Sequence, residues 1–165
     1  MAWNLVKDGN AAAFSLFRRH YTFRPNRNQI HFSFMFEKER NAGMFVGPGE
    51  KTVLLTPEAD ALFVWRKFLS ADGQLGVNCA VFRNEGAARA SDLIKEACAV
   101  AWARWPGERL YTYVDARRVA RSRTPGRCFL KAGWRYVRGA DGKPARTKSH
   151  NLLILECLPP DSSIA

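Results

Sequence analysis

The chain of 165 residues has the length of one ordinary domain, and its 47% hydrophobic and 12% aromatic residues are enough for a full core. Its four cysteines form no CxxC pair and its three histidines show no metal-ligand spacing, which argues against a zinc ribbon or a redox dithiol, and no metal site is predicted. The formal net charge is +11, and residues 101–150 hold 13 Lys and Arg against 3 Asp and Glu, a local excess suited to phosphates.

The sequence shows no leader and no membrane span. Residues 1–10 contain no long apolar run behind basic residues, and the apolar run at 151–155 is far too short to cross a bilayer. We therefore expect one soluble domain over residues 1–165, located in the cytoplasm.

A helix and a strand are the first predicted elements. Asn10 can cap a helix that runs to about Tyr21, with Phe14 and Phe17 on the same stripe as Tyr21. Residues 30–36 (IHFSFMF) place one isoleucine and three phenylalanines on a single face, which is typical of a strand.

Four further strands are predicted before the middle of the chain, and short segments rich in Gly, Pro and Asp separate them. They lie at residues 43–46, 52–56, 61–69 and 76–83. The short connections between them favour an antiparallel meander.

A long helix follows at about residues 88–105. Its apolar residues recur at helical spacing and predict a buried stripe of Ile94, Ala97, Cys98, Ala101, Trp102 and Trp105. The elements predicted after it are a strand at 109–114, a short helix at about 125–132, and strands at 134–138 and 151–157.

The order of these elements predicts the fold class. The strands before and after the long helix should be joined by a right-handed crossover and lie parallel in one sheet. We expect an α/β (α+β) fold with a mixed central sheet of about six to seven strands and helices on both faces.

The turn between the strand at 76–83 and the long helix is a candidate phosphate site. Gly86 allows close approach of the backbone to a ligand, Ala87 and Ala88 keep side chains away, and the first N–H groups of the helix point outward. Alternatively, Ser91 or Asp92 caps the helix and satisfies the same donors.

Two motifs resemble the GNAT superfamily of acyltransferases. The residues Arg83-x-x-Gly86-x-Ala88 match the signature with which that superfamily binds the pyrophosphate of acetyl-CoA, and PGRCFLKAGWRYV, with Gly133-Trp134 in a Gly-Phe position, is similar to its second signature. The resemblance covers residues 30–157 and implies a GNAT-like fold with acetyl-CoA or another acyl-CoA as co-substrate. The residues that it assigns to the donor are Ala80, Val81, Phe82, Arg83, Gly86, Ala87, Ala88 and Ser91.

One group of GNAT-like proteins is closer in its short motifs, namely the bacteriophage proteins that modify DNA bases, including the Mom family. The strings HYT at 20–22, TYVD, PGRCF and AGW resemble that group. This resemblance implies a phage protein that acts on DNA in the cytoplasm of the bacterial host.

The catalytic candidates are Asp115, His20, Tyr21 and Cys128. Asp115 ends the strand beyond the crossover and could accept a proton or orient the amine, or it could simply cap the next turn. His20 is a candidate base, phosphate contact or surface histidine. Many GNAT enzymes have a tyrosine as general acid where this chain has Phe129, preceded by Cys128. Tyr111, Tyr113 and Tyr136 are possible substitutes, and catalysis by positioning alone also stays open.

Two arginine-rich loops, at residues 115–127 and 138–148, are candidate contacts for a DNA backbone, although they could also be solvated loop faces. Their basic residues are Arg117, Arg118, Arg121, Arg123, Arg127, Lys143, Arg146 and Lys148.

Three functions follow from these features. The first is N-acylation of a nucleobase amine, or of an amine on a hypermodified base, in phage DNA. The second is N-acetylation of a small molecule or a protein, with the basic loops serving only the nucleotide of coenzyme A. The third is non-catalytic DNA binding on a GNAT scaffold, which the missing tyrosine would permit.

Overall fold

The computed structural model describes residues 2–20, 44–120 and 123–160. Within these ranges seven strands form one sheet: β1 (Asn4–Val6), β2 (Glu50–Leu55), β3 (Ala61–Lys67), β4 (Val77–Asn84), β5 (Leu110–Val114), β6 (Arg135–Tyr136) and β7 (Leu153–Cys157). The helices are α1 (Ala11–Arg18), α2 (Ala90–Arg104) and α3 (Arg127–Lys131), with a 3-10 turn at Ala116–Arg118. The chain therefore has the predicted α+β class.

The sheet is mixed and has the strand order β1-β2-β3-β4-β5-β7-β6. Strands β2, β3 and β4 form the predicted antiparallel meander. Helix α2 carries the chain from β4 to β5, and these two strands pair in parallel, as the crossover predicts.

Two cores lie on opposite faces of the sheet, because alternate residues of β2 and β3 point to opposite sides. On the first face, Leu54, Phe63 and Trp65 pack with α2 and α3. On the second face, β2, β3 and β4 pack against α1. The buried residues of this second core are Ala13, Leu16, Val53, Leu55, Leu62, Val64 and Val81. Helices therefore cover both faces.

Helix α2 buries the stripe that its spacing predicts. Five of the six residues of that stripe are buried, and the sixth, Trp102, is partly buried and donates its indole N–H to the Glu108 carbonyl. The indole N–H groups of Trp3 and Trp65 donate to the carbonyls of Leu93 and Ala97 on the same helix, both at 2.9 Å. These bonds let two large aromatic side chains enter the core without an unpaired donor.

Several predicted elements differ from the structure at their ends. The Asn10 cap is confirmed, since its Oδ1 accepts a hydrogen bond from the Ala13 N–H at 3.0 Å, but α1 ends at Arg18 rather than near Tyr21. The strand predicted at 43–46 is wrong over 44–46, where the chain is irregular. The strand predicted at 30–36 and Tyr21 itself lie outside the described residues. Strand β1 was not predicted, because three residues are too few to show a period.

Candidate active site

Strands β4 and β5 separate soon after they meet. They pair in parallel at only three positions, Val77 with Leu110, Asn78 with Tyr111 and Cys79 with Thr112. Beyond this point β4 continues against β3 and β5 continues against β7. A cleft, defined as the gap between residues 80–82 of β4 and residues 113–114 of β5, opens where the two strands part.

A β-bulge in β4 lies at the start of the cleft. Val64 of β3 pairs with Val81 and Trp65 pairs with Cys79, so Ala80 is left without a partner. Ala80 and Val81 both contact the second-face core, whereas Cys79 and Phe82 contact the first. The bulge therefore bends β4 away from β5 and leaves its backbone edge open to the cleft.

The cleft is a cavity of about 990 Å³. Its walls are the open ends of β4 and β5, the first turn of α2 and residues 123–131 around α3. This is the size of a pocket that holds a substantial organic ligand.

Positive charge surrounds the mouth of the cleft. Five basic residues contribute to its lining against one acidic residue, Asp92; they are Arg89, Lys95, Arg123, Arg127 and Lys131. All five are exposed, so they can move to meet an anion. Three of them, Arg89, Lys95 and Lys131, were not assigned from the sequence, although the four-residue spacing of Arg127 and Lys131 would have placed both on one helical face.

The first turn of α2 presents uncapped backbone donors. Arg89 occupies the N-cap position without a side-chain hydrogen bond, so neither Ser91 nor Asp92 caps the helix. Ser91 instead lies buried in the first turn and lines the cleft. In the part of the chain that the structure describes, no acceptor meets the N–H of Ala90 or Ser91. Such a helix start favours an anion.

The turn before α2 is locked by its own contacts. The Asn84 side chain accepts from the Gly86 N–H at 3.0 Å and donates to the Ala88 carbonyl at 2.7 Å. A Cβ at Gly86 would lie 2.2 Å from the Asp60 Oδ2, so the close approach that requires this glycine is to Asp60. The residues Gly86, Ala87 and Ala88, which the resemblance assigned to the donor, lie beside the cleft and do not line it.

Arg83 has partners of its own. Its Nε donates to Glu85 Oε2 at 2.5 Å and its Nη1 to the Arg19 carbonyl at 2.7 Å. The predicted donor residues that do line the cleft are Ala80, Val81, Phe82 and Ser91.

His20 lies where α1 meets the cleft and is buried. Burial, with the nearby charge of Arg83 as a smaller cause, lowers the pKa of the imidazole to about 4, and a hydrogen bond with the Phe82 backbone opposes that shift. The side chain is therefore neutral near pH 7, as a proton acceptor must be.

The other catalytic candidates are placed differently. Cys128 lines the cleft, and burial raises the pKa of its thiol, so the sulfur stays protonated at neutral pH. Asp115 lies outside the cleft lining and caps the 3-10 turn, where Arg117 bonds both of its carboxylate oxygens at 3.0 Å. These hydrogen bonds lower the pKa of Asp115. These contacts match the alternative in which Asp115 caps the next turn.

Of the three tyrosines considered as substitutes for the missing acid, Tyr113 and Tyr136 donate their hydroxyls elsewhere, and Tyr111 lies outside the cleft lining. Phe129, at the position of that acid, is buried against Phe82 and Trp134, with ring centroids 6.0 and 4.9 Å away. The Tyr136 hydroxyl donates to the Pro125 carbonyl. Tyr113 lines the cleft, but its hydroxyl donates to Asp72 Oδ1 at 2.6 Å.

The first arginine-rich loop contacts the chain two residues beyond the second loop, at His150. The Arg117 guanidinium reaches the His150 carbonyl at 3.5 Å, and Arg123 and Arg127 of the first loop line the cleft. Four further predicted cations of the two loops are exposed and lie outside the cleft lining; they are Arg118, Lys143, Arg146 and Lys148. Arg121 lies outside the described residues.

Comparison of the chain with protein-family models, with curated proteins and with solved structures gave no match. Over the described ranges, no helix combines the length and the apolar character needed to cross a membrane. The function of the chain is therefore inferred from the geometry of the cleft and from the charge around it.

Proposed function

We propose that the chain is an N-acyltransferase, resembling the GNAT superfamily, that acylates an amine of a base in DNA with a coenzyme A thioester as donor. The observation that carries the proposal is the cleft. The parallel strands β4 and β5 diverge at the bulge, next to the uncapped start of α2. Their divergence opens a cavity in the sheet, and basic residues surround it.

The polar groups of the cleft are chemically suited to bind such a donor. A coenzyme A thioester would supply an acyl group on a thiol leaving group. The open edge of β4 at residues 80–82 offers backbone donors and acceptors to an amide-containing chain. The uncapped N–H groups of Ala90 and Ser91 and the five cations at the mouth suit its phosphates.

We assign to His20, the histidine of the cleft lining, the acceptance of a proton from the amine. Its neutral imidazole accepts the proton that the amine loses as the N–C bond forms. The low pKa then makes the imidazolium a ready donor to sulfur as the C–S bond breaks, so the products are an amide and a thiol. Backbone N–H groups at residues 80–82 would stabilise the negative charge on the acyl oxygen.

The charge outside the cleft favours DNA as the acceptor. The five cations at the mouth are enough to neutralise the phosphates of a nucleotide thioester. Beyond that set, the two arginine-rich loops carry the exposed cations Arg118, Lys143, Arg146 and Lys148, and Arg117 of the first loop contacts His150 just after the second. A second group of cations on adjoining loops is suited to a polyanion that extends past the donor.

The test is mass spectrometry of nucleosides from DNA incubated with the purified protein and isotope-labelled acetyl-CoA, followed by other acyl-CoA donors. We expect a nucleoside that carries one labelled acyl group. The double variant Lys95→Glu, Arg127→Glu should lose the product, and the control variant Lys7→Glu, whose exposed side chain is outside the cleft lining, should keep the donor-dependent reaction.

Two other outcomes would overturn the proposal. Labelled acyl groups on small amines or on protein, with none on DNA, would assign the chain to the second function class. DNA binding without consumption of any thioester would make the chain a DNA-binding module.

A further inference from the structure

A row of polar side chains crosses the second face of the sheet. The row contains one residue from each of six strands, and each residue is the pairing partner of the next. In order across the sheet they are Lys51, Arg66, Asn78, Tyr111, Glu156 and Arg135. The adjacent row on β2, β3 and β4 is apolar and packs under α1. The polar row is therefore a distinct feature of this face.

The outer members of the row have partners. Lys51 Nζ is 3.0 Å from Asp8 Oδ2, and Arg66 Nε donates to the Pro48 carbonyl at 2.7 Å. Glu156 accepts from Arg109 and from Arg135, at 2.8 and 2.9 Å.

The two central members each have one polar atom without a partner. Asn78 and Tyr111 are 7% and 0% exposed, and within the described chain no hydrogen-bond partner meets Asn78 Oδ1 or the Tyr111 hydroxyl. The Ser70 hydroxyl is close enough to affect the Tyr111 pKa but does not meet it with hydrogen-bond geometry. Buried polar atoms without partners destabilise a protein, so a pair of neighbours on adjacent strands indicates a ligand.

The pair lies next to the cleft. Asn78 and Tyr111 occupy the pairing position immediately before that of Cys79 and Thr112, where the strands part. Tyr113, the next residue of β5 on the second face, lines the cleft and packs against Tyr111 with ring centroids 5.7 Å apart. A group bound here therefore lies at the inner end of the cleft, four residues along β4 from Phe82, whose backbone His20 contacts.

The neighbours of this pair on the second face are polar. Tyr111 lies near Ser70, under the Arg109 guanidinium at 5.3 Å and beside Tyr113, whose hydroxyl is bonded to Asp72. Ser70 and Asp72 belong to the connection between β3 and β4, which is attached here by hydrogen bonds. Because Asn78 and Tyr111 are buried, a ligand that binds them must displace part of this polar surrounding.

We propose that Asn78 and Tyr111 bind an aminated heterocycle, which donates an amino N–H to Asn78 Oδ1 and accepts from the Tyr111 hydroxyl through a ring nitrogen. An acceptor and a donor on neighbouring strands match an amino group next to a ring nitrogen, the edge that adenine and cytosine present. This proposal goes beyond the proposed function and does not depend on it, because it rests on the two unpaired atoms.

Thermal unfolding separates a ligand site from a structural one. Asn78→Leu and Tyr111→Phe each remove a buried polar atom without a partner, so the melting temperature of the free protein should stay the same or rise. The matched control Tyr136→Phe removes a hydroxyl that is bonded to the Pro125 carbonyl, and its melting temperature should fall. A fall for Asn78→Leu and Tyr111→Phe would mean that an ordered water or an intramolecular partner satisfies them, and would overturn the proposal.

NMR titration of the isotope-labelled full chain tests the ligand class, with adenine and cytosine as probes and hypoxanthine and uracil as controls in which a carbonyl replaces the amino group. At millimolar concentration the amino probes should shift the resonances of residues 78 and 111 and the controls should not. Asn78→Leu should weaken binding by about tenfold or more, the effect of removing one hydrogen bond to a buried partner. No shift, or equal shifts from both probe classes, would overturn the proposal.

Acetyl-CoA is titrated in the same samples so that the two proposals can fail separately. Donor binding without binding of an amino probe would remove the heterocycle site and leave the acyltransferase proposal in place. Binding of an amino probe without any donor binding would remove the acyltransferase proposal and leave Asn78 and Tyr111 as a heterocycle site.

Discussion

The Thr112 hydroxyl donates a hydrogen bond to the Cys79 backbone carbonyl, 3.0 Å away, at the last position where β4 and β5 pair. The side chain thus satisfies a buried carbonyl at the point where the strands begin to part. This bond holds the inner end of the cleft closed while the outer end stays open.

Thr112→Val should destabilise the protein, because it keeps the shape of the side chain and leaves the Cys79 carbonyl without this donor. The expected cost is about 1–3 kcal/mol in the free energy of unfolding, measured by urea denaturation. Thr112→Ser retains the hydroxyl and is the control. Equal stability of Thr112→Val and wild type would show that the bond does not hold the inner end of the cleft.

The buried imidazole of His20 makes stability depend on pH. Its pKa falls from an ordinary value of 6.5 to about 4 in the folded protein, so between these values the unfolded chain binds more protons. The free energy of unfolding should have the full His20 contribution above about pH 6.5 and should fall by up to about 3 kcal/mol as the pH drops to about 4. His20→Gln should remove this part of the pH dependence, and His150→Gln, which alters an exposed histidine, should not.

His20→Gln also tests the role of this residue in the proposed reaction. Removal of a general base lowers turnover by a factor on the order of 100 to 10,000, while binding of acetyl-CoA should change little. Turnover at the wild-type rate would assign His20 a structural role.

Gly86 is predicted to be necessary for packing against Asp60. Gly86→Ala should lower the melting temperature, because its Cβ would lie 2.2 Å from the carboxylate oxygen of Asp60. Asp60→Gly removes that carboxylate, so Gly86→Ala should be less destabilising in this background, which a double-mutant cycle measures. An equal effect in both backgrounds would show that Asp60 is not the cause.

Local patterns were sufficient to predict the meander, the parallel crossover and the buried stripe of α2, because each of these depends on residues close in sequence. They did not predict the bulge at Ala80, which exists only in the pairing of β4 with β3. They also assigned Gly86 to a ligand, since Asp60 is distant in the chain and its approach to Gly86 is a tertiary contact.

Candidate side chains were harder to assign than elements. Asp115 stands at the end of a strand, where ligand sites gather, yet Arg117 bonds its carboxylate two residues further on. The sequence contains both residues but not the geometry that joins them. The position of His20 beside the cleft is likewise a tertiary property, because folding brings the end of α1 to Phe82 on β4.

The two groups of cations should have separable functions. Lys95→Glu with Arg127→Glu reverses charge at the mouth of the cleft and should weaken acetyl-CoA binding by about tenfold or more, since each removes an attractive interaction with a phosphate and adds a repulsive one. Arg118→Glu with Lys143→Glu and Lys148→Glu reverses charge on the arginine-rich loops and should leave acetyl-CoA binding nearly intact. Arg117 is kept in place because it bonds Asp115.

DNA binding should respond chiefly to the second set. Neutralising phosphates releases counterions, so the affinity of the wild type for a short duplex should fall steeply with salt, and the slope of log affinity against log salt should decrease by about 0.9 for each phosphate that the loop variant no longer neutralises. Interactions with the backbone carry no sequence information, so the variant should bind unrelated duplexes with equally reduced affinity. Fluorescence anisotropy at several salt concentrations measures both quantities. If wild type and loop variant bind DNA with the same affinity and the same salt dependence, the loops do not contact its backbone, and a small amine or a protein becomes the better candidate for the acceptor.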